Sequence, residues 1–226
     1  QLPLPLVVRQ HNTFETFVCG VNTEILHALR SMDLRGLRRV LWIVGRPGSG
    51  KTHFLQSAVA EAGSGAMYLP LRTVRARGIE VLRGVEELPF VALDDVDAVA
   101  ASDEWERELF RFFNDAQAGT GGLVFASRRR PADAGFKLDD LTSRLTSATV
   151  YRLEPLDDTQ SLKALQKHAL ARGLELSDAS ASYLLKRVSR DMADICGWLD
   201  DLDGASLAAK RKLTVPFIRD AIAARA

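Results

Sequence analysis

Apolar residues follow two rhythms along this chain. Five short runs are continuous rather than alternating: Val40-Leu41-Trp42-Ile43-Val44, Ala66-Met67-Tyr68-Leu69, Phe90-Val91-Ala92-Leu93, Leu123-Val124-Phe125-Ala126 and the weaker Ala148-Thr149-Val150-Tyr151. A strand that reads apolar at every position is buried on both faces, as in a parallel sheet covered by helices. Between the runs the spacing turns helical. Trp105, Leu109, Phe112 and Ala116 share one face, with Glu104, Glu106, Glu108 and Arg111 largely on the others, and Asp103 is placed to cap that helix. Strands alternating with helices predict right-handed βαβ units and a doubly wound α/β sheet.

After Tyr151 the strand rhythm ends. Glu154-Pro155-Leu156-Asp157-Asp158 reads as a turn and helix start, and the apolar residues that follow recur only at helical spacing. Ser177 and Thr214 are placed as helix-entry residues, and Pro216 suits a first turn. The expected organisation is an α/β domain over 9–154 and an all-helical domain over 155–226. Residues 1–8, QLPLPLVV, form a separate extended peptide, because Pro3 and Pro5 remove amide donors and hold the chain straight. That peptide is too short to span a membrane and lacks the basic head and cleavage site of a signal peptide. Taken alone, it reads as a tail folded on the protein's own surface.

Composition narrows the function. With 46% hydrophobic residues the chain can build cores, which argues against disorder. A formal charge of +1 is too small for nucleic-acid coating by electrostatics alone. The clusters Arg128-Arg129-Arg130 and Lys210-Arg211-Lys212 read as solvated surface. Cys19 and Cys196 form no CxxC pair, and His11, His27, His53 and His168 show no metal-ligand spacing. With no run of eighteen apolar residues, no membrane partner is expected, and a reducing cytoplasmic location is the default.

The chemistry is concentrated in Gly45-Arg46-Pro47-Gly48-Ser49-Gly50-Lys51-Thr52, a full GxxxxGK[ST] pattern between an apolar strand and a helix pattern. Loop amides and the helix N-terminus can wrap a polyphosphate, and the glycines let the backbone approach. Lys51 is expected to reach the outer phosphates and Thr52 to ligate Mg²⁺. The cofactor-binding set is Gly45, Pro47, Gly48, Ser49, Gly50, Lys51 and Thr52, with the adjoining His53. Leu93-Asp94-Asp95 closes the third apolar run, at the strand end where such folds hold Mg²⁺. Asp94 is the metal-side acid, and Asp95 is placed to orient or activate water. A pair of aspartates at a strand end also serves as a plain turn.

These residues resemble the AAA+ ATPases in their DnaA-like branch. Thr13-Phe14-Glu15-Thr16-Phe17-Val18-Cys19-Gly20-Val21-Asn22 is similar to the segment that packs around the nucleotide base there, which implies base contacts from Phe17, Val18 and Asn22. Asp140-Leu141-Thr142-Ser143-Arg144-Leu145 resembles the box whose Arg acts as an arginine finger on a neighbouring subunit, which implies that role for Arg144. Ser189-Arg190-Asp191-Met192 resembles the sensor segment of the helical lid, which implies a nucleotide contact from Arg190. Read by itself, Arg190 pairs equally well with Asp191 or Asp194. The resemblance implies ADP or ATP with Mg²⁺ as cofactors.

The N-terminal Gln1-Leu2-Pro3-Leu4-Pro5 and the stretch Lys210-Arg211-Lys212-Leu213-Thr214-Val215-Pro216-Phe217 are similar to regulatory members of that branch. Only about ten residues follow Pro216, too few for the helix-turn-helix reader that DnaA carries. The resemblance implies partners: DnaA, the DNA polymerase III β sliding clamp through Gln1, Leu2, Leu4, Pro5 and Leu6, DNA indirectly through the clamp, and a homodimer or higher oligomer. It implies a replisome-associated protein that promotes hydrolysis of DnaA-bound ATP and so restrains re-initiation. Arg128 stands where the branch has an acid after the fourth strand, and a guanidinium only donates, so weak or no intrinsic ATPase is expected. The alternative is an autonomous ATPase acting as a helicase loader or other replication motor.

Overall fold

The computed structural model describes residues 11–33, 35–188, 192–209 and 213–225. Five parallel strands, β1 (Arg39–Val44), β2 (Ala66–Pro70), β3 (Phe90–Asp94), β4 (Gly122–Ser127) and β5 (Thr149–Arg152), lie in the order β2-β3-β4-β1-β5. These strands are the five apolar runs. In β1 to β4 that apolar character follows from burial on both sides, whereas β5, at the sheet edge, is largely exposed. Trp42, Leu123 and Phe125 join a core on one face, while Leu41, Ile43, Val124 and Ala126 join a core on the other. Side chains alternate along a strand, so only a sheet with two covered faces takes apolar residues at each position.

Helices α1 (Thr23–Arg30), α2 (Lys51–Ala62), α3 (Leu71–Val74), α4 (Asp103–Gln117) and α5 (Asp139–Thr146) belong to this α/β part. Trp42 sits opposite Phe125 in the β1–β4 register, with ring centroids 5.7 Å apart, and Phe113 of α4 stacks on Phe125 at 6.2 Å. The buried Trp42 indole donates to the Arg129 carbonyl at 2.9 Å. That bond satisfies the indole and also fixes the arginine-rich turn beyond β4.

Helix α4 departs from its sequence reading in two ways. Ser102 holds the cap position and makes no side-chain cap bond, and Asp103 is the first helical residue, where its charge still complements the helix dipole. Glu106 and Glu108 are buried rather than solvated. Glu108 is held by Arg111 at 2.6 Å, and Glu106 by backbone amides from distant segments. Helical periodicity registers apolar surface and is blind to carboxylates buried by such partners.

Helices α6 (Asp158–Leu170), α7 (Asp178–Arg187), α8 (Met192–Ala209) and α9 (Val215–Arg225) form the C-terminal lid around Leu165, Leu184, Leu199 and Ile218. Asp157 and Gln160 make a reciprocal capping box at the start of α6. Ser177 caps α7 by accepting from the Ser180 amide, and Pro216 lies in the first turn of α9. Among the described residues no helix is long and apolar enough to cross a membrane.

Candidate functional site

The loop 45–50 joins β1 to α2 at the C-terminal edge of the sheet, where ligands bind in open α/β folds. Its glycines are required by position. A Cβ on Gly45 would press against Ser49 Oγ and lie 2.9 Å from the Leu153 carbonyl. Gly48 and Gly50 take φ of 75° and 93°, left-handed values that cost other residues free energy. Lys51 is buried, and its Nζ donates to the carbonyls of Gly45 at 2.8 Å and Arg46 at 3.0 Å. Burial pushes the Lys51 ammonium below its usual range, with Asp94 and Asp95 opposing that shift. Ser49 Oγ is buried with no hydrogen-bond partner among the described residues. An orphaned hydroxyl, a lysine with a spare proton and a loop with no space for side chains fit a polyphosphate.

Thr52 Oγ1 donates to Asp94 Oδ2 at 2.6 Å, so the two residues expected to hold Mg²⁺ meet. Asp94 also accepts from Tyr68 Oη at 2.9 Å and from the Asp95 amide at 2.9 Å. Burial raises the Asp94 carboxyl above its usual range, against those hydrogen bonds. Tyr68 was invisible as a site residue because it reads as one more apolar position in β2. Asp95 takes a left-handed φ of 52°, and its carboxylate accepts from Arg72 Nε at 2.9 Å. The geometry thus occupies Asp95 with a guanidinium, a partner the sequence did not suggest.

Phe17, Val18, Asn22, Gly48, Ser49, Gly50 and His53 share one cleft, with Leu156 and Ala164 of the lid side opposite. Its volume is about 20 Å³, little more than a water requires. Asn22 clasps the hinge. Its amide nitrogen donates to the carbonyls of Cys19 and Glu154, and its oxygen accepts from the Glu154 amide at 2.8 Å. His53 Nε2 lies 3.1 Å from the Thr13 carbonyl and 3.2 Å from Thr16 Oγ1, and its ring meets His168 of α6 at 4.8 Å.

Burial pushes the His53 imidazole down to about 4, partly opposed by its bond to Thr13. A depressed folded-state value means that stability is fully present above about 6.5 and is lost as pH falls toward 4. Between pH 7 and pH 5 this group alone is expected to remove about 2 kcal/mol. Denaturant unfolding at both pH values measures the loss, and His53→Gln should reduce it; an equal loss in the variant would contradict the assignment.

A second cleft of about 310 Å³ opens beside Gly45 and is lined by Arg46, Arg128, Arg129, Arg130 and Arg152. Arg152 pairs with Glu154 at 2.7 Å. The strand order β4-β1-β5 brings these arginines together from three distant segments. Arg128–Arg130 are exposed, as read from the sequence, and they also form the wall of a cleft beside the phosphate loop. Arg144 lies on α5 (Asp139–Thr146), whose buried residues are Leu141 and Leu145. It is exposed, and its guanidinium has no hydrogen-bond or ion-pair partner among the described residues. Arg190, Gln1, Leu2, Leu4, Pro5 and Leu6 lie outside the described residues.

The core sheet of order 5-1-4-3-2 with a helical lid is an α/β fold similar to that of DnaA and of AAA+ ATPases. Residues 158–222 match the family model described as Hda, lid domain. Domain III of the Thermotoga maritima replication initiation protein DnaA is similar at a TM-score of 0.72 and 21% identity, over 94% of this chain and 96% of that one. AMPPCP-bound DnaA from Aquifex aeolicus is similar at 0.62 and 25% identity, over 86% of this chain and 65% of that one. The Thermotoga maritima RuvB Holliday junction branch migration motor shares the fold at 0.63 and 18% identity, over 90% of this chain and 68% of that one.

Proposed function

We propose that this chain is a regulatory AAA+ protein that binds ADP or ATP with Mg²⁺ and supplies Arg144 in trans to ATP bound by DnaA. The observation that carries this reading is Arg144 itself: a guanidinium on a helix anchored by two leucines, exposed and unengaged within its own described chain. A guanidinium in that state is available to stabilise charge that develops on a phosphoryl group held by another molecule.

The chain's own site favours holding nucleotide over cleaving it. Loop amides, Lys51 and Ser49 would hold the phosphates, and Thr52 with Asp94 would hold Mg²⁺, which supplies charge neutralisation between phosphates. Water activation is poorly provided for. The Asp95 carboxylate is engaged by Arg72, and Arg128 only donates. Phe17, Val18, Asn22 and His53 would border the base, and Arg190 would complete the site from the lid.

The N-terminal peptide would confine this activity to clamp-loaded DNA in the bacterial cytoplasm. Gln1 offers an amide to a polar pocket, Leu2, Leu4 and Leu6 offer apolar anchors, and Pro5 with Pro3 lowers the entropy lost when an extended peptide docks. Replacing Gln1, Leu2 and Leu4 together by Ala is expected to abolish clamp binding with nucleotide affinity unchanged. Retained clamp binding on a sensor surface would rule the peptide out. Self-association into a homodimer or higher oligomer is part of the same reading.

The autonomous-motor reading is separated by ATP turnover. On the regulatory reading the chain alone turns over little ATP, and DnaA with clamp-loaded DNA adds turnover. A motor would show robust turnover alone, unaffected by DnaA.

A further inference from the structure

We propose that Glu106 is the positioning residue for Arg144, clamping the start of α5 to the segment that follows Asp94 and Asp95. The proposal rests on the reading of Arg144 as a finger. Glu106 is 2% exposed, at the end of the first turn of α4. One carboxylate oxygen accepts the Ala101 amide at 2.7 Å. The other accepts the amides of Lys137 at 2.9 Å and Leu138 at 2.7 Å. A buried carboxylate that accepts three backbone N–H groups is fully satisfied, and such charge-assisted bonds are the strong ones.

The two segments it joins are functionally placed. Leu138 is the cap residue of α5, and it has no side-chain oxygen to cap with. Glu106 brings a negative charge from another element to that N-terminus, where it complements the helix dipole. Leu141 and Leu145 decide which face of α5 is buried, while Glu106 fixes where the helix begins and how it is aimed. On the other side, Ala101 holds a left-handed φ of 63°, unusual for a residue with a Cβ, and closes the stretch leading from Asp95 through the 3-10 turn Val96–Val99. A single side chain therefore links the metal-side loop to the arginine helix.

The chemistry makes Glu106 hard to replace. Glutamine has the same shape but only one acceptor oxygen; its NH₂ must face either Ala101 N–H or the Lys137 and Leu138 pair. Either orientation sets donor against donor. Glu106→Gln should therefore release one of the two segments with little change in volume.

The test compares wild type, Glu106→Gln and Arg144→Ala with DnaA preloaded with ATP and clamp-loaded DNA. For Glu106→Gln we expect amide exchange to rise about tenfold or more either at Ala101 or at Lys137 and Leu138, with Leu109 and Phe112 unchanged. DnaA-ATP hydrolysis should fall about tenfold in maximal rate, with affinities for nucleotide and DnaA within about twofold. Wild-type hydrolysis by Glu106→Gln beside an inactive Arg144→Ala overturns the proposal, as does unchanged exchange at Ala101, Lys137 and Leu138 alike. If Arg144→Ala keeps full activity, the finger reading fails, and Glu106 as its positioning residue fails with it. If the Gln variant does not fold, Glu106→Asp, one methylene shorter with both acceptors kept, is read by the same criteria.

Discussion

Arg144→Ala is expected to lower the stimulated hydrolysis of DnaA-bound ATP by about 10³-fold or more, the range that arginine fingers supply in trans. Folding should be untouched, because the guanidinium is exposed and the residues that anchor α5 are Leu141 and Leu145. Nucleotide and clamp binding by this chain should also be unchanged, since Arg144 borders neither the cleft at Phe17 and His53 nor the phosphate loop. Arg144→Lys should fail nearly as badly. Its ammonium keeps the charge but not the planar fork that meets two phosphoryl oxygens. A rate within threefold of wild type for the Ala variant would remove Arg144 from the chemistry.

Lys51→Ala has the second largest expected effect. Two interactions disappear together: the contact to the outer phosphates and the bonds to the Gly45 and Arg46 carbonyls that shape the loop. Hydrogen bonds to charged groups contribute about 1.5–3 kcal/mol each, so nucleotide affinity should fall by about 10²-fold or more. The buried site adds to this, because the lost ammonium sits where water screens poorly. Titration with ADP and ATP measures it, and an unchanged Kd would mean that nucleotide does not use the loop. If the nucleotide in this chain serves only to set the lid, stimulation of DnaA should drop in proportion to occupancy and recover at saturating nucleotide.

Sheet order and phosphate site differed from the arginine cleft and from Glu106 in how far the sequence exposed them. The four strands β1 to β4 were legible because burial on both faces writes continuous apolar runs; the exposed edge strand β5 carried the weaker run. The phosphate loop was legible because its function lies in contiguous backbone, and Thr52 with Asp94 followed from where a neighbouring strand ends. The cleft of Arg46, Arg128 and Arg152 was not legible, since it exists only once β4, β1 and β5 lie side by side. The place of Glu106 was not legible for a related reason: two of its partners lie 31 and 32 residues downstream, and a buried carboxylate leaves no periodic trace. Arg72, which occupies Asp95, was likewise placed by the turn after β2 rather than by any local pattern. Arg144 was marked only by the box around it, because an exposed arginine on a short helix has no signal of its own.

The central claim is that this chain acts on nucleotide held by another protein. The most direct measurement is single-turnover hydrolysis of labelled ATP bound only to DnaA, with clamp-loaded DNA and either wild type or Arg144→Ala. Rapid conversion to ADP on DnaA with wild type, and conversion at the unstimulated rate with Arg144→Ala, is the predicted result. Equal rates with the two proteins, or conversion only after the label has moved to this chain, would contradict it.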